Sequence, residues 1–238
     1  MTIKGRDDNH LFVEVRGTGM PLLLLHGGMA DHKQFELQRR HFERRFQVIR
    51  MDSRGHGRSE HGDVPLTLSV LAGDVLNVLD ALKIKRVILL GFSDGANVAL
   101  KFAKTHPERV RGMILISPNI DPQGLKSYFR MLLKGLRQMT KPFAFLERYR
   151  QRLDLMLEPQ ALEDGCKVPS MLLTGQYDLI NRRHIDEIAR VLKNAKVYTI
   201  PHAGHNLLRR HHRTVNGLSD GFLRMLGKVE SQAVEQSE

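Results

Sequence analysis

The sequence is poor in cysteine and has no long hydrophobic run, and both absences narrow the class of protein. Cys166 is the one cysteine among 238 residues, so no internal disulfide can form, and the chain fits a reducing compartment. No apolar run approaches the ~20 residues needed to cross a bilayer, and the opening M-T-I-K-G-R-D-D-N-H lacks the apolar core of a signal peptide. We therefore expect a cytoplasmic protein without a membrane partner, in which Cys166 is a packing residue.

Signatures of nucleic-acid and nucleotide binding are also absent. The chain carries 37 basic and 26 acidic residues, a formal net charge of +11, but acidic residues interleave most basic groups and no basic tail or aromatic RNA-binding motif is present. The stretch D-S-R-G-H-G-R-S at 52–59 lacks the Gly-Lys-Ser/Thr ending of a P-loop and the spacing of a dinucleotide-binding turn. We predict a structural loop held by pairing between its own aspartate and arginine, with His56 as a hydrogen-bonding residue. We expect no nucleic acid, metal or cofactor, and the sequence does not decide the oligomeric state.

A regular alternation of strand and helix patterns fills most of the chain. Such alternation is typical of an α/β fold with a parallel sheet and right-handed crossovers, and the length suits one well-cored domain. The patterns predict strands at 10–15, 22–25, 46–51, 87–90, 110–116, 168–173 and 196–200, and helices at 33–45, 66–82, from 96, at 185–192 and at 207–226.

The alternation breaks between residues 119 and 167. Only helical patterns occur there, at 125–139, 142–149 and 153–157. We predict a core domain of residues 1–118 and 168–238, with a helical cap inserted at 119–167 over the carboxyl edge of the sheet. Its apolar residues either line a pocket lid or anchor the cap: Phe129, Leu132, Leu133, Leu136, Phe143 and Phe145.

One stretch, R-V-I-L-L-G-F-S-D-G-A-N-V-A-L-K-F-A at 86–103, combines a buried strand, a sharp turn and a helix around Ser93. Gly91 and Gly95 flank the serine at a distance of two residues, where a strained turn leaves no room for a Cβ. The N-terminus of the following helix offers unpaired N–H groups and a positive partial charge. The pattern predicts a nucleophilic Ser93, and an ordinary strand-to-helix turn is the alternative.

Other strand ends carry glycines, an acid and histidines. His26-Gly27-Gly28 follows one buried strand, where glycine allows the backbone to approach a substrate closely. Asp178 and His205 follow two later strands, and carboxyl ends of parallel strands meet at one edge of a sheet. His202 and Asp164 are alternatives, but His202 precedes its turn and Asp164 precedes its strand.

The order serine, acid, histidine resembles that of the α/β-hydrolase superfamily. The matching motifs are His26-Gly27-Gly28, Asp52-x-Arg54-Gly55-x-Gly57-x-Ser59, Gly91-x-Ser93-x-Gly95, Gly175-x-x-Asp178 and Gly204-His205. The resemblance implies the α/β-hydrolase fold, with a mostly parallel central sheet, helices on both faces and a short helical cap.

Serine-hydrolase chemistry follows from these residue types. A serine hydroxyl needs a base to become nucleophilic, and His205 can take its proton at neutral pH. Asp178 would orient the imidazole and stabilise the imidazolium. The backbone N–H groups of Asp94 and of Gly28 would hold the oxyanion, with Met29 as an alternative to Gly28.

Two further runs, G-F-S-D-G-A-N and H-A-G-H-N-L-L, resemble the biphenyl hydrolase-like, valacyclovir hydrolase group. In that group the aspartate corresponding to Asp94 is implicated in holding the amino group of a substrate, which implies a substrate-binding role for Asp94, with Met29 beside it. The alternative is a charge in the first helical turn, which contributes ~0.3–1 kcal/mol. A serine at position 93 argues against haloalkane dehalogenases and epoxide hydrolases, which have aspartate there.

The reading we favour is a serine hydrolase of small carboxylic esters, including aminoacyl esters, that acts through an acyl-enzyme. Two alternatives remain. The first is a ligand sensor of the same fold with little turnover. The second is a cofactor-free haloperoxidase-like or perhydrolase-like enzyme, although such members often have methionine where this chain has Asp94.

Overall fold

A computed structural model gives the fold of residues 1–5, 7–157 and 166–235, so the alternative acid Asp164 lies outside the described residues. The strands are β1 (Thr2–Lys4), β2 (His10–Arg16), β3 (Met20–Leu25), β4 (Phe46–Met51), β5 (Val87–Phe92), β6 (Val110–Ile116), β7 (Ser170–Gly175) and β8 (Ala195–Ile200). The helices are α1 (Glu36–Phe42), α2 (Leu68–Ala81), α3 (Asp94–Thr105), α4 (Ser127–Thr140), α5 (Glu147–Met156), α6 (Arg182–Val191), α7 (Leu207–Arg210) and α8 (His212–Glu235).

The strands form one eight-stranded sheet in the order β1-β2-β4-β3-β5-β6-β7-β8. β2 pairs antiparallel with both β1 and β4, and every other pairing is parallel. The predicted mostly parallel sheet is therefore confirmed. β1 was not predicted, because it has three residues and buries only Ile3 of them.

Two apolar cores cover the two faces of this sheet. On β3, Leu22 and Leu24 belong to the core that includes residues of α1 and α8, whereas Leu23 and Leu25 belong to the core packed against α2 and α3. Successive side chains of a strand point to opposite faces, so a strand with helices on both sides is apolar throughout. The helices on both faces agree with the predicted class, and Cys166 packs against the second of these cores, as predicted.

Three predicted helices have different bounds in the structure. The pattern at 33–45 forms a 3₁₀ turn, His32–Phe35, followed by α1. The patterns at 142–149 and 153–157 form a 3₁₀ turn, Ala144–Leu146, that leads into α5. The pattern at 207–226 is interrupted at His211, which separates α7 from α8. No helix within the described residues is both long and apolar enough to cross a membrane.

The loop at 52–59 is held by its own aspartate and arginine only in part: Oδ2 of Asp52 accepts the backbone N–H of Arg58 at 2.8 Å, but no aspartate–arginine ion pair forms within the loop. Arg54 is buried and donates instead to Asp74, at 2.6 Å, and to Asp7. The carboxylate of Asp52 accepts the N–H and the ring Nδ1 of His32, each at 2.7 Å. These partners are at least 20 residues away in the sequence, so the sequence of the loop alone does not indicate them.

His56 is a hydrogen-bonding residue of this loop, as predicted. Its Nδ1 lies 3.0 Å from the carbonyl oxygen of Arg54. Burial lowers the pKa of His56 to about 4, which keeps the ring neutral near pH 7.

The helices between β6 and β7 lie over the carboxyl edge of the sheet. From α4, Phe129, Leu132, Leu133 and Leu136 line a cavity beneath them, as expected of a pocket lid. Phe143 and Phe145 do not line this cavity: their exposed fractions are 48% and 81%, and their rings lie 5.7 Å apart at the surface. Those two residues precede α5 in and around the 3₁₀ turn, which turns their side chains away from the core.

Candidate active site

The turn between β5 and α3 places Ser93 in a strained backbone conformation. Its φ is 53° and its ψ is −120°, a region that non-glycine residues rarely adopt. A Cβ on Gly95 would lie 2.0 Å from the carbonyl oxygen of Leu25, and one on Gly91 would lie 2.4 Å from that of Gly95. Neither position can hold a side chain without moving the backbone, which explains why glycine flanks the serine on both sides.

His205 and Asp178 meet at the carboxyl edge of the sheet. Nδ1 of His205 lies 2.7 Å from Oδ1 of Asp178. Burial alone would raise the pKa of Asp178, but the hydrogen bond and charge of His205, with a further bond from Ser117, lower it to about 2. The carboxylate is therefore charged at neutral pH and holds the proton on Nδ1, which leaves Nε2 of a neutral His205 as the proton acceptor.

The alternative histidine and acid do not join this pair. His202 is exposed, and its backbone N–H donates to the side-chain oxygen of Gln176 at 2.9 Å. Asp164 lies outside the described residues. The structure thus pairs Asp178 with His205 and not with His202.

Sequence reasoning missed Ser117, which also contacts the acid. Its hydroxyl donates to Oδ2 of Asp178 at 2.7 Å, and the N–H of Gly175 reaches the same oxygen at 3.1 Å. Ser117 directly follows β6, the neighbour of β7, and is fully buried with a φ of 52°. Its place one residue beyond a buried strand was the signal that could have identified it.

A cavity of about 330 Å³ opens onto Ser93 and His205. Most of its lining residues are apolar, and the polar ones are Gln34, Ser93, Asp94, Asn119, Tyr149 and His205. Gly28 and Met29 also line it, together with the leucines and Phe129 of α4 and with Leu153 and Met156 of α5. The cavity therefore has room for a small organic ligand, with a mostly apolar wall and a few polar groups.

Asp94 is the first residue of α3, and its carboxylate lies against this cavity. Oδ2 is buried and has no hydrogen-bond partner within the part of the chain that the structure describes. A Cβ on Gly28 would lie only 2.3 Å from that oxygen, so glycine at 28 leaves the space that the carboxylate occupies. Burial raises the pKa of Asp94 to about 7, although the charge of His205 opposes this.

Backbone N–H groups without acceptors belong to three residues that line the cavity together with Ser93. Asp94 begins α3, so its N–H has no acceptor within the helix. Among the described residues, the N–H groups of Gly28 and Met29 donate to no backbone or side-chain acceptor. Met29 has a φ of 58° and is 40% exposed at the mouth of the cavity.

Asn119 is a second residue of the cavity wall that sequence reasoning missed. Its side chain is 6% exposed, and its Oδ1 is buried without a partner among the described residues. Its backbone N–H donates to Oδ1 of Asn97 on α3 at 2.7 Å. No motif marks an asparagine at this position, because its role depends on the cavity that the helices between β6 and β7 enclose.

One group of side chains in the described ranges has the spacing of metal ligands, namely Asp31, His32 and Asp52, whose donor atoms lie within 4.8 Å of one another. These groups already hydrogen-bond one another and the backbone: Asp52 accepts two bonds from His32, and Asp31 accepts the N–H of Lys33 at 2.8 Å. The arrangement fits a hydrogen-bonded anchor for the loop after β4 better than a metal centre.

Comparison with known proteins gives a consistent family. The chain is 27% identical over 246 residues to the human serine hydrolase BPHL, covering 90% of this chain and 82% of that protein. It is 27% identical over 261 residues to the AB hydrolase superfamily protein YisY of Bacillus subtilis, covering 92% and 97%.

Solved structures share the same fold. A thermophilic esterase from Thermogutta terrifontis matches with a TM-score of 0.76 at 24% identity, covering 95% of this chain and 98% of that one. Est816, an N-acyl homoserine lactone degrading enzyme, matches with a TM-score of 0.80 at 20% identity, covering 93% and 100%. The model of the family described by the alpha/beta hydrolase fold matches residues 20–140, which include the turn at Ser93. With that match and with this sheet order, the chain belongs to the α/β-hydrolase fold family.

Proposed function

We propose that this protein is a serine hydrolase that cleaves small carboxylic esters through an acyl-enzyme. Ser93 attacks the ester carbonyl while Nε2 of His205 takes its proton and then gives it to the leaving alkoxide. Water, deprotonated by His205, then releases the acid and restores Ser93. Asp178 holds the imidazole tautomer and stabilises the imidazolium.

One observation carries this proposal: the 2.7 Å contact between His205 and Asp178 opens onto the same cavity as Ser93. A charged, buried acid beside a histidine, with a serine in a strained turn nearby, is the arrangement that activates a hydroxyl. The similarity to a human serine hydrolase supports the reaction class.

The oxyanion of the tetrahedral intermediate is held by backbone donors in this proposal. One is the N–H of Asp94, which the N-terminus of α3 directs toward the serine. The other is the N–H of Gly28 or of Met29 in the loop after β3. The predicted cap of residues 119–167, inserted into the core of residues 1–118 and 168–238, limits the access of water to the acyl group in this proposal, through α4 and α5 among its described residues.

Asp94 selects the acyl group in this proposal. A buried carboxylate close to a developing oxyanion slows the cleavage of neutral esters, so its presence needs a compensating gain. An acyl group with an amino substituent supplies that gain, because the ammonium pairs with the carboxylate in a poorly solvated cavity. Aminoacyl esters and related small acyl compounds are therefore the proposed substrates, with Met29 contacting them at the cavity mouth.

Burst kinetics with a p-nitrophenyl ester test the reaction class. A hydrolase gives a burst followed by a steady rate, and Ser93→Ala removes both phases. A ligand sensor gives a single slow turnover, which would contradict the proposal. Peroxide-dependent halide oxidation that exceeds ester hydrolysis would point instead to a perhydrolase-like activity.

A matched pair of substrates tests the role of Asp94. The benzyl ester of alanine carries an ammonium, and the benzyl ester of isobutyric acid is its neutral isostere. Asp94→Asn should lower kcat/KM for the alanyl ester while the neutral ester holds steady or improves. Equal losses on both esters would leave Asp94 with only its place in the first turn of α3.

A further inference from the structure

Two residues that line the cavity each carry a buried oxygen without a partner. Oδ2 of Asp94 and Oδ1 of Asn119 have no hydrogen-bond donor within the described part of the chain, and both residues line the wall beside Ser93. Their exposed fractions are 8% and 6%. A buried acceptor without a donor is unfavourable, so two of them in one small cavity indicate a ligand that brings its own donors.

Asn119 is fixed to the helix that carries Asp94. Its backbone N–H donates to Oδ1 of Asn97, which lies on α3 one turn after Asp94. Asn97 is itself 3% exposed, so this anchor is a buried one. Helix α3 therefore positions both acceptor residues at the carboxyl edge of the sheet, Asp94 as its first residue and Asn119 through the bond to Asn97.

Two further polar side chains line the cavity, those of Gln34 and Tyr149, but neither donates to Oδ2 of Asp94 or to Oδ1 of Asn119. The side-chain oxygen of Gln34 accepts the N–H of Gly27 at 2.8 Å. Leucines of α4, with Leu153 and Met156 of α5, supply apolar wall that cannot donate to either oxygen. An apolar acyl group would leave both acceptors unpaired. A group with several N–H donors would satisfy both at once.

We propose that Asn119 is a specificity-determining residue, whose side-chain carbonyl forms with the carboxylate of Asp94 a two-acceptor site for the N–H donors of a primary ammonium on the acyl group. This inference rests on the proposed function. It adds Asn119 to the binding site and a requirement that the cationic group carry N–H donors. A primary ammonium has three N–H donors, enough for both acceptors. A trimethylammonium has the same charge but no N–H donor. A site that acted through charge alone would bind it, whereas the two-acceptor site rejects it.

A series of benzyl esters separates donors from charge. The acyl groups are alanyl, N,N-dimethylalanyl, N,N,N-trimethylalanyl and isobutyryl, and all four esters share one leaving group. With the unmodified protein at pH 7, kcat/KM should fall in that order for the three cationic acyl groups. Equal kcat/KM values for the alanyl and trimethylalanyl esters would contradict the requirement for N–H donors.

Asn119→Leu tests the residue itself, because leucine has a similar volume and no polar atom. It should lower kcat/KM for the alanyl ester roughly 10-fold to 100-fold through a higher KM, and leave the isobutyryl and trimethylalanyl esters within about 2-fold. Asn194→Leu is the matched control, since Asn194 is exposed and donates to the carbonyl of Lys167, away from the cavity. A uniform loss on every ester would contradict a role in specificity.

Asn119→Asp is the second variant, and it keeps an acceptor oxygen in the same place. It should retain most of the preference for the alanyl ester that Asn119→Leu loses, with a lower melting temperature near pH 7, because a second carboxylate is buried in the same cavity as Asp94. Loss of that preference in both variants would show that a donor, and not an acceptor, is needed at position 119. If Asp94→Asn abolishes the preference while Asn119→Leu leaves it intact, only this further inference fails; if neither changes it, the proposed substrate class fails as well.

Discussion

The hydroxyl of Ser117 donates to Oδ2 of Asp178 at 2.7 Å. The other carboxylate oxygen, Oδ1, lies 2.7 Å from Nδ1 of His205. The two bonds fix the plane of the carboxylate and hence the direction of the imidazole. Ser117 touches no substrate, so we regard it as a positioning residue. Its backbone φ of 52° shows that the chain turns sharply to bring the hydroxyl there.

Removal of that hydroxyl should slow the reaction without weakening binding. Ser117→Ala is expected to lower kcat roughly 3-fold to 30-fold with KM unchanged, because the lost hydrogen bond is made to a charged group. Ser219→Ala is the control, since Ser219 is buried and its hydroxyl has no partner within the described residues. A rise in KM at constant kcat would place Ser117 in substrate binding instead.

The two histidines near the end of β8 should differ sharply. His205→Ala is expected to lower kcat by on the order of 10³ or more, since the general base is lost. His202→Ala should change kcat by less than about 3-fold, because the side chain of His202 is exposed and lies outside the cavity wall. Comparable losses in steady-state assays of the two variants would refute this assignment of the base.

A methyl group at Gly95 should be far more harmful than one at Gly217. The Cβ at 95 would meet the carbonyl oxygen of Leu25 at 2.0 Å, whereas the Cβ at 217 meets nothing within 4 Å. Gly95→Ala should destabilise the protein by roughly 3 kcal/mol or more, and Gly217→Ala, within α8, should stabilise it by up to ~1 kcal/mol. Urea unfolding measures both, and equal midpoints would mean that the turn at Ser93 relaxes freely.

Asp94 should make stability depend on pH. Its pKa is raised from 3.8 in the unfolded chain to about 7 in the folded state. The free energy of unfolding is therefore unaffected by this group below about pH 4, where it is protonated in both states, and decreases as the pH rises toward about 7. Asp94→Asn removes this dependence, so its advantage in melting temperature should grow between pH 4 and 7 and then level off. The expected gain is of the order of a few kcal/mol, about 1.4 kcal/mol per unit of pKa. A constant difference across that range would show that the carboxylate is well solvated.

Much of the fold could be predicted because its central strands β3 and β5 are apolar throughout. A run such as Leu22–Leu25 is buried on both faces, and it has no other common explanation next to amphipathic helices. β1 could not be predicted, since it has three residues and only Ile3 of them is buried. The partners of Arg54 could not be predicted either, because Asp7 and Asp74 come close only after the chain folds.

The residues of the candidate site also fall into those that a sequence motif predicts and those that only the folded structure brings together. Ser93, Asp178 and His205 follow strands at recognisable motifs, and the structure brings the last two into contact. Ser117 and Asn119 have no motif, and their side chains matter only because β7 and the helices after β6 close around them. The environment of Asp94 also depends on that closure: first-turn acids are usually solvated, whereas this one is buried.

Ser93 is the residue that becomes acylated in the proposed mechanism, and covalent labelling of the intact protein tests this role. The protein is incubated with a fluorophosphonate probe, digested, and sequenced by tandem mass spectrometry, with Ser93→Ala and heat-denatured protein as controls. We predict a single adduct on Ser93 that is absent from both controls and that is formed far more slowly by His205→Ala. An adduct on another residue, or undiminished labelling of Ser93→Ala, would contradict the account.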